Sequence, residues 1–307
     1  ECQDRGWENT DQLTQFVASG FCRSLNAMSK GWGRVLAEFV KIATLPQKPW
    51  RRAASRLRVA EALVQRHSIA TNHGRILFVS PQARALEYPR DFWPREPEML
   101  DWIDRFATPC IYWDIGANVG SYVLYAALRA DIMTYAFEPS PASYLALCGN
   151  LYENGRNGNV RPYCLAFDDH VNLATLDMDD LSAGSFGHSF GREADVLRPE
   201  HKTIFHQPAI GFTIDAFRAT FNLDAPNYLK LDIDGNEGKV LSGARVTLGD
   251  PALRSIMVEV NKEGPHADAI FSALEGYGFR FVRWGVDHGL GAINAEFVRE
   301  GSRGSQS

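Results

Sequence analysis

Four carboxylates of this chain stand at the ends of short apolar runs. Asp114 closes Ile111-Tyr112-Trp113 and leads into the turn Gly116-Ala117-Asn118-Val119-Gly120. Gly116 can take backbone angles closed to other residues, and Gly120 lets a ligand or the sheet approach the helix that follows. A turn that feeds a helix N-terminus offers unpaired N–H groups, which favour a carboxylate on a ligand. Asp114 would set negative charge beside a cationic group of that ligand. Glu138 follows Phe137 about twenty residues after the glycine turn, a spacing that suits a two-oxygen contact with ribose hydroxyls. Asp232 follows Tyr228-Leu229-Lys230-Leu231, and Glu259 holds the matching place in the run from Ser255 to Val260. Carboxylates placed this way can orient an acceptor hydroxyl or take its proton.

The elements that must position these groups alternate. Short apolar strands are expected at Ile111–Trp113, Ile132–Phe137, Val160–Leu165, Tyr228–Ile233, Ser255–Val260, Phe279–Trp284 and Ala292–Val298. Helices are expected over about 118–130, 141–153, 237–248 and 267–277. Strands alternating with helices imply right-handed crossovers and a mostly parallel sheet covered on both faces. The last two strands have no helix between them and are expected to form an antiparallel edge hairpin. Ligands of such sheets bind outside the strands' carboxyl ends. Ala166, at the end of the third strand, is then expected to line the pocket for a nucleobase. A dinucleotide fingerprint reads G-x-G-x-x-G, but here Asn118 stands where the second glycine would admit a pyrophosphate.

The chain resembles the FkbM family of methyltransferases. The resemblance is carried by Glu96 to Asp104, by Trp113-Asp114-Ile115-Gly116-Ala117-Asn118-Val119-Gly120-Ser121-Tyr122, and by Phe137 to Pro141 with Asn150. Lys230 to Ala244 and Val258 to Asn261 match as well. It implies an α/β, Rossmann-like, seven-stranded methyltransferase fold over roughly residues 75–298. It also implies S-adenosylmethionine as methyl donor and O-methylation of a sugar, glycan, polyketide or similar metabolite. The donor's carboxylate, ammonium and sulfonium fit the turn and Asp114. One departure is visible: the family's usual Asp-x-Glu-Gly is here Asp232-Ile233-Asp234-Gly235, which withdraws a carboxylate by one methylene.

Methyl transfer needs alignment, which can supply ~7–11 kcal/mol, and a proton acceptor. Asp232 is the candidate base or acceptor-orienting group, with Glu259 in support. Lys230, Asp234, Glu237 and Asn261 lie close by in sequence. Capping of the next helix is the other reading for Asp232, and more so for Glu237. A second variant has Mg²⁺ held by Asp232, Glu259 and Asn261, since all-oxygen ligands suit that ion, although the preferred reading uses no metal. His170, His188, His201, His206 and His266 lack metal spacing and read as loop residues, one of which could serve as an alternative base. Residues 168–209 show no clear period and are expected to cover the acceptor. There Phe186, Phe190 and Phe205 would meet a ring or acyl group, and Arg192 and Arg198 an acidic substituent.

Residues 1–68 read as a helical N-terminal extension, 69–300 as the catalytic domain and 301–307 as a disordered tail. A helix from about Arg51 to Arg66 carries Arg51, Arg52, Arg56 and Arg58 on one face, which reads as a solvated surface or as a site for an acidic partner or membrane. A partner or self-association through 1–68 is an open expectation. Net charge is −5, which gives no whole-chain case for nucleic acid, so methylation of RNA or another macromolecule is the lesser alternative. A non-catalytic cofactor-binding scaffold is another. The five cysteines are odd in number and lack C-x-x-C spacing, which fits a reducing cytoplasm. Cys110 and Cys164 read as buried. No apolar run approaches the ~20 residues needed to span a bilayer.

Overall fold

A computed structural model describes residues 31–80, 82–191, 202–262, 264, 267–289 and 291–301. Expectations placed on residues 1–30, on Arg192, Arg198, His201 and His266, and on the tail beyond Gly301 lie outside the described residues. The chain divides into two units between Val64 and Gln65.

In the first unit, α1 (residues 31–43) and α2 (Pro49–Ala62) flank a turn. Pro49 opens α2 at a position where a helix needs no N–H donor. The guanidinium of Arg52 donates to the carbonyls of Leu45 (2.9 Å) and Gln47 (3.1 Å). Arg56 donates to Thr44 Oγ1 (2.9 Å) and the Lys41 carbonyl (3.0 Å). Two of the four arginines expected on an open basic face therefore hold the turn, whereas Arg51 and Arg58 are exposed. The helix also stops at Ala62 rather than near Arg66.

The second unit begins with β1 (Gln65–Thr71), so the helical extension ends earlier than residue 68. His67, Ile69 and Thr71 turn inward while their neighbours face out, a period of two that no helix follows. β1 pairs antiparallel with β2 (Gly74–Ser80). Then follow α3 (Pro97–Asp104), β3 (Cys110–Ile115), α4 (Ser121–Ala127), β4 (Ile132–Phe137), α5 (Pro141–Glu153) and β5 (Val160–Tyr163). Next come β6 (Ala166–Phe167), β7 (Asn172–Met178), β8 (Ser189–Phe190), β9 (Phe205–Phe212) and α6 (Ile214–Phe221). The chain continues through β10 (Tyr228–Leu231), α7 (Glu237–Ser242), α8 (Arg245–Gly249), β11 (Ser255–Asn261), α9 (Ala267–Gly276), β12 (Phe279–Trp284) and β13 (Ala292–Arg299).

Seven strands form the main sheet in the order β12-β13-β11-β10-β3-β4-β5. Strands β11, β10, β3, β4 and β5 run parallel, and β13 is antiparallel to both its neighbours. This is the Rossmann-like sheet with an antiparallel C-terminal edge that the sequence predicts. Both faces are buried: on β3, Tyr112 packs into the core with Trp102 and Phe106, and Trp113 into the opposite core with Phe137, Phe167 and Phe217.

Two stretches differ from expectation. Residues 168–209 contribute β7, β8 and part of β9 to a second sheet, ordered β6-β9-β7-β8. Leu176 and Met178 are buried there, but Leu173 is 81% and Ile210 52% exposed, so apolar residues do not mark a single face. The single helix expected over 237–248 is two, α7 and α8, divided near Gly243. A Cβ at Gly243 would stand 2.7 Å from the Asp168 carbonyl oxygen, and this close packing excludes a side chain. Cys110 is buried, but Cys164 is exposed just past β5, where the chain leaves the sheet.

Candidate active site

The strand order reverses between β3 and β10: the chain winds from β3 out to β5, then returns to β10 on the other side. At such a switch point the loops after adjacent strands part and leave a crevice. Gly116, Asn118, Glu138, Ala166, Asp232 and Glu259 all line the cleft found there. Six of the eight residues singled out in the sequence are thus brought together.

Asp114 and Gly120 are not on the cleft wall. Asp114 is 1% exposed beneath the turn, where Lys230 Nζ lies 3.2 Å away and faces its charge. Gly120 precedes α4 at φ 90°, and a Cβ there would stand 2.5 Å from Leu147 Cδ1 on α5. The glycine thus lets α4 start close against α5. Gly116, at φ 85°, meets an even closer neighbour: a Cβ would fall 1.7 Å from the Asp232 carbonyl oxygen. The glycine lets the turn after β3 touch the loop after β10, which sets the two walls of the cleft against each other.

Glu138 ends β4 and is 6% exposed. One carboxylate oxygen accepts the Asn118 N–H (2.8 Å) and the other the Ser140 N–H (2.8 Å). Burial pushes its pKa up to about 7, against the pull of these two donors. Asn118, at φ 50°, also donates from Nδ2 to the Ser185 carbonyl (2.9 Å). Asn118 Oδ1 and Ser121 Oγ are buried without a partner, and both residues line the cleft. Unfilled polar atoms of this kind suit a ligand with its own donors and acceptors.

Lys230 Nζ lies 3.2 Å from Asp114 and 3.0 Å from Asp232, and donates to the Gly116 carbonyl (3.2 Å). Burial opposes its charge, but Asp114, Asp232 and Glu96 outweigh burial, so its pKa is raised. Burial also raises Asp114, against the pull of Lys230. Glu259 is held well above the usual carboxylate range, first by burial and then by the charges of Asp232, Asp234 and Glu237. Its protonated form is favoured in the free protein. The Mg²⁺ variant finds little support in this donor set, because Lys230 already engages Asp232 and Asn261 is exposed beyond the cleft wall. Glu237 staples its own loop: Oε1 accepts the N–H groups of Ile233 (3.1 Å) and Gly235 (3.0 Å).

The structure adds cleft residues that the sequence reading passed over. Arg95 and Glu96, just before α3, and Tyr122 on α4 line the same space. Glu96 is raised by burial and by Asp232, while a hydrogen bond from Tyr122 works the other way. The signal available was a charged pair directly before Pro97 at a helix start. Residues 183–190 close the cleft from the small sheet. Gly187 N–H donates to Asp234 Oδ2 (2.7 Å), and Asn236 Nδ2 to the Phe190 carbonyl (2.7 Å). Asp234 takes φ 60° to do so. Phe186 and Phe190 line the cleft as expected, whereas Phe205 does not. His188 also lines it: Nε2 is 2.7 Å from Ser185 Oγ, and burial lowers its pKa. His206 is exposed and paired with Asp177 (2.6 Å), and His170 is exposed beside Asp169.

Residues 114–281 match the family described as Methyltransferase FkbM domain. The 31-O-demethyl-FK506 methyltransferase FkbM of Streptomyces tacrolimicus is 24% identical over 191 residues, which cover 56% of this chain and 73% of that protein. The hexuronic acid methyltransferase AglP of Haloferax volcanii is 23% identical over 151 residues, covering 49% of this chain and 56% of that protein. The crystal structure of methyltransferase FkbM from Methylobacillus flagellatus superposes with a TM-score of 0.44 at 10% identity, over 71% of this chain and 62% of that one.

Proposed function

Because this chain belongs to the FkbM family of methyltransferases, we propose that it moves the methyl group of S-adenosylmethionine onto a hydroxyl of a sugar, glycan or polyketide-like metabolite. The observation that carries the donor assignment is Glu138. Its two oxygens are each fixed by one backbone N–H at the end of β4, facing the cleft, which aims the carboxylate at a ribose diol. Asn118 and Ser121 supply the unfilled polar atoms for the amino-acid end, and Ala166 the wall for the adenine. Glu96, Asp232 and Glu259 surround the space left for the positive charge.

The donor supplies a methyl carbon already activated by its sulfonium. The protein's part is to align an acceptor and receive its proton. Asp232 is fixed by Lys230 at 3.0 Å, so its carboxylate is a positioned acceptor for the hydroxyl's hydrogen. Glu259 lines the same cleft and supports Asp232 in orienting the acceptor. The acceptor oxygen forms its bond to the methyl carbon as the carbon–sulfur bond breaks, and the hydroxyl proton passes to Asp232.

Calorimetric titration with S-adenosylmethionine and S-adenosylhomocysteine, beside an NADH control, tests this reading. Micromolar binding of either sulfur compound is expected, with Glu138→Ala weakening it roughly a hundredfold, the loss of two charge-assisted hydrogen bonds. Binding of NADH alone would overturn the proposal. Asp232→Asn is expected to abolish turnover while retaining donor binding, and unchanged turnover would remove Asp232 from its role. Retained donor binding with no acceptor turned over would favour a scaffold.

A further inference from the structure

The first unit presents an apolar stripe that its own described residues leave open. Trp32, Val35, Leu36, Phe39 and Ile42 recur on α1 at the spacing of one helical face. Each is more than half exposed, from 58% at Val35 to 68% at Phe39. Leu45 and Trp50 continue the exposure through the turn. Residues 31–64 hold seven Lys and Arg against two Glu, a surplus of five positive charges in a chain whose net charge is −5. Arg52 and Arg56 hold the turn, but Arg34, Lys48, Arg51 and Arg58 are exposed.

Aromatic and aliphatic residues on one face, with cations beside them, match the boundary between acyl chains and headgroups. RNA would neutralise the cations but leave the stripe in water. A second copy would bring another surplus of like charge against the first. Among the described residues no helix is long and apolar enough to cross a bilayer. We propose that the N-terminal unit docks on an anionic lipid surface, with Trp32 to Ile42 in the acyl boundary and Lys48, Arg51 and Arg58 at the headgroups.

The test sediments the full chain with vesicles of phosphatidylcholine alone, and with vesicles in which about a third is phosphatidylserine. Co-sedimentation is expected with the anionic vesicles and is expected to weaken in high salt. Phe39→Glu should abolish it, with circular dichroism confirming unchanged helix content. The pair Arg51→Gln and Arg58→Gln, on exposed positions, should lower partitioning by about thirtyfold, and this pair carries the test if Phe39→Glu loses helix. A chain left in the supernatant with both vesicles would overturn the proposal, as would anionic-vesicle binding that Phe39→Glu and the arginine pair leave unchanged. Dimers broken by Phe39→Glu without vesicle binding would assign the stripe to a second copy. Retention of RNA without vesicle binding would assign the cations to nucleic acid. Either result overturns the proposal. None of these readings involves Glu138, so they are independent of the donor assignment.

Discussion

Lys230 is a cation at 2% exposure whose charge survives because two carboxylates face it. Removing one member of a buried ion pair typically costs about 3–5 kcal/mol, because the partner is left uncompensated. Lys230→Met is therefore expected to lower the free energy of unfolding by about that amount in a denaturant titration. A change well under 1 kcal/mol would mean that Asp114 and Asp232 find other partners. Glu138 offers a pH test. Its folded pKa of about 7 lies above the ordinary 4.5, so protonation stabilises the free protein. That contribution is complete below about 4.5 and is lost as pH rises through about 7. Ribose hydroxyls donate to the ionised form, so donor affinity is expected to run the other way: highest above pH 7, and falling below it by up to about tenfold per pH unit. A flat affinity profile from pH 5 to 8 in binding titrations would count against a carboxylate contact.

At the scale of elements, one side chain joins three of them. Asn150, on α5 and 1% exposed, accepts the Val79 N–H of β2 (2.7 Å) and donates to the Val119 carbonyl of the glycine turn (2.8 Å). Asn154, one turn on, accepts the Leu77 N–H (2.8 Å) in the same way. Asn150→Ala leaves a buried N–H and a buried carbonyl unpaired, at about 1–3 kcal/mol each. Hydrogen exchange at Val79 is expected to speed up accordingly, and unchanged protection there would refute the link. The sequence already singled out Asn150, but only through its family likeness, since nothing in a lone asparagine on a helix says what it will reach. The seven-stranded sheet was legible because buried parallel strands read as apolar runs ending in a turn or a charge. The small sheet was not, because Leu173 and Ile210 face outward and blur its period. Glu96 and Lys230 lie more than a hundred residues apart in sequence; only the parallel stacking of β3 beside β10 brings such distant segments to one cleft. Asp114 stands at a strand end as its apolar run predicts, but such a pattern cannot show that Lys230 lies beside it.

On the scale of the whole molecule, the charge is unevenly divided. Residues 31–64 are strongly basic, whereas the chain as a whole is acidic, and Glu96, Asp232, Asp234 and Glu259 all line the one cleft. Burial raises Glu96 and Glu259, and the neighbouring charge of Asp232 raises both further. The free cleft therefore favours the protonated forms of these two carboxyls. A cation placed beside such groups favours their ionised forms, so uptake of the proposed donor should expel protons to solvent. S-adenosylhomocysteine, an uncharged sulfide at the same place, lacks that charge. Titrations of the two compounds in buffers of different ionisation heat are expected to show greater proton release for the methylated one, and equal release would remove the link. Each methyl transferred would then return a proton to the cleft as the sulfonium charge disappears, so the protein resets its own ionisation with every turnover.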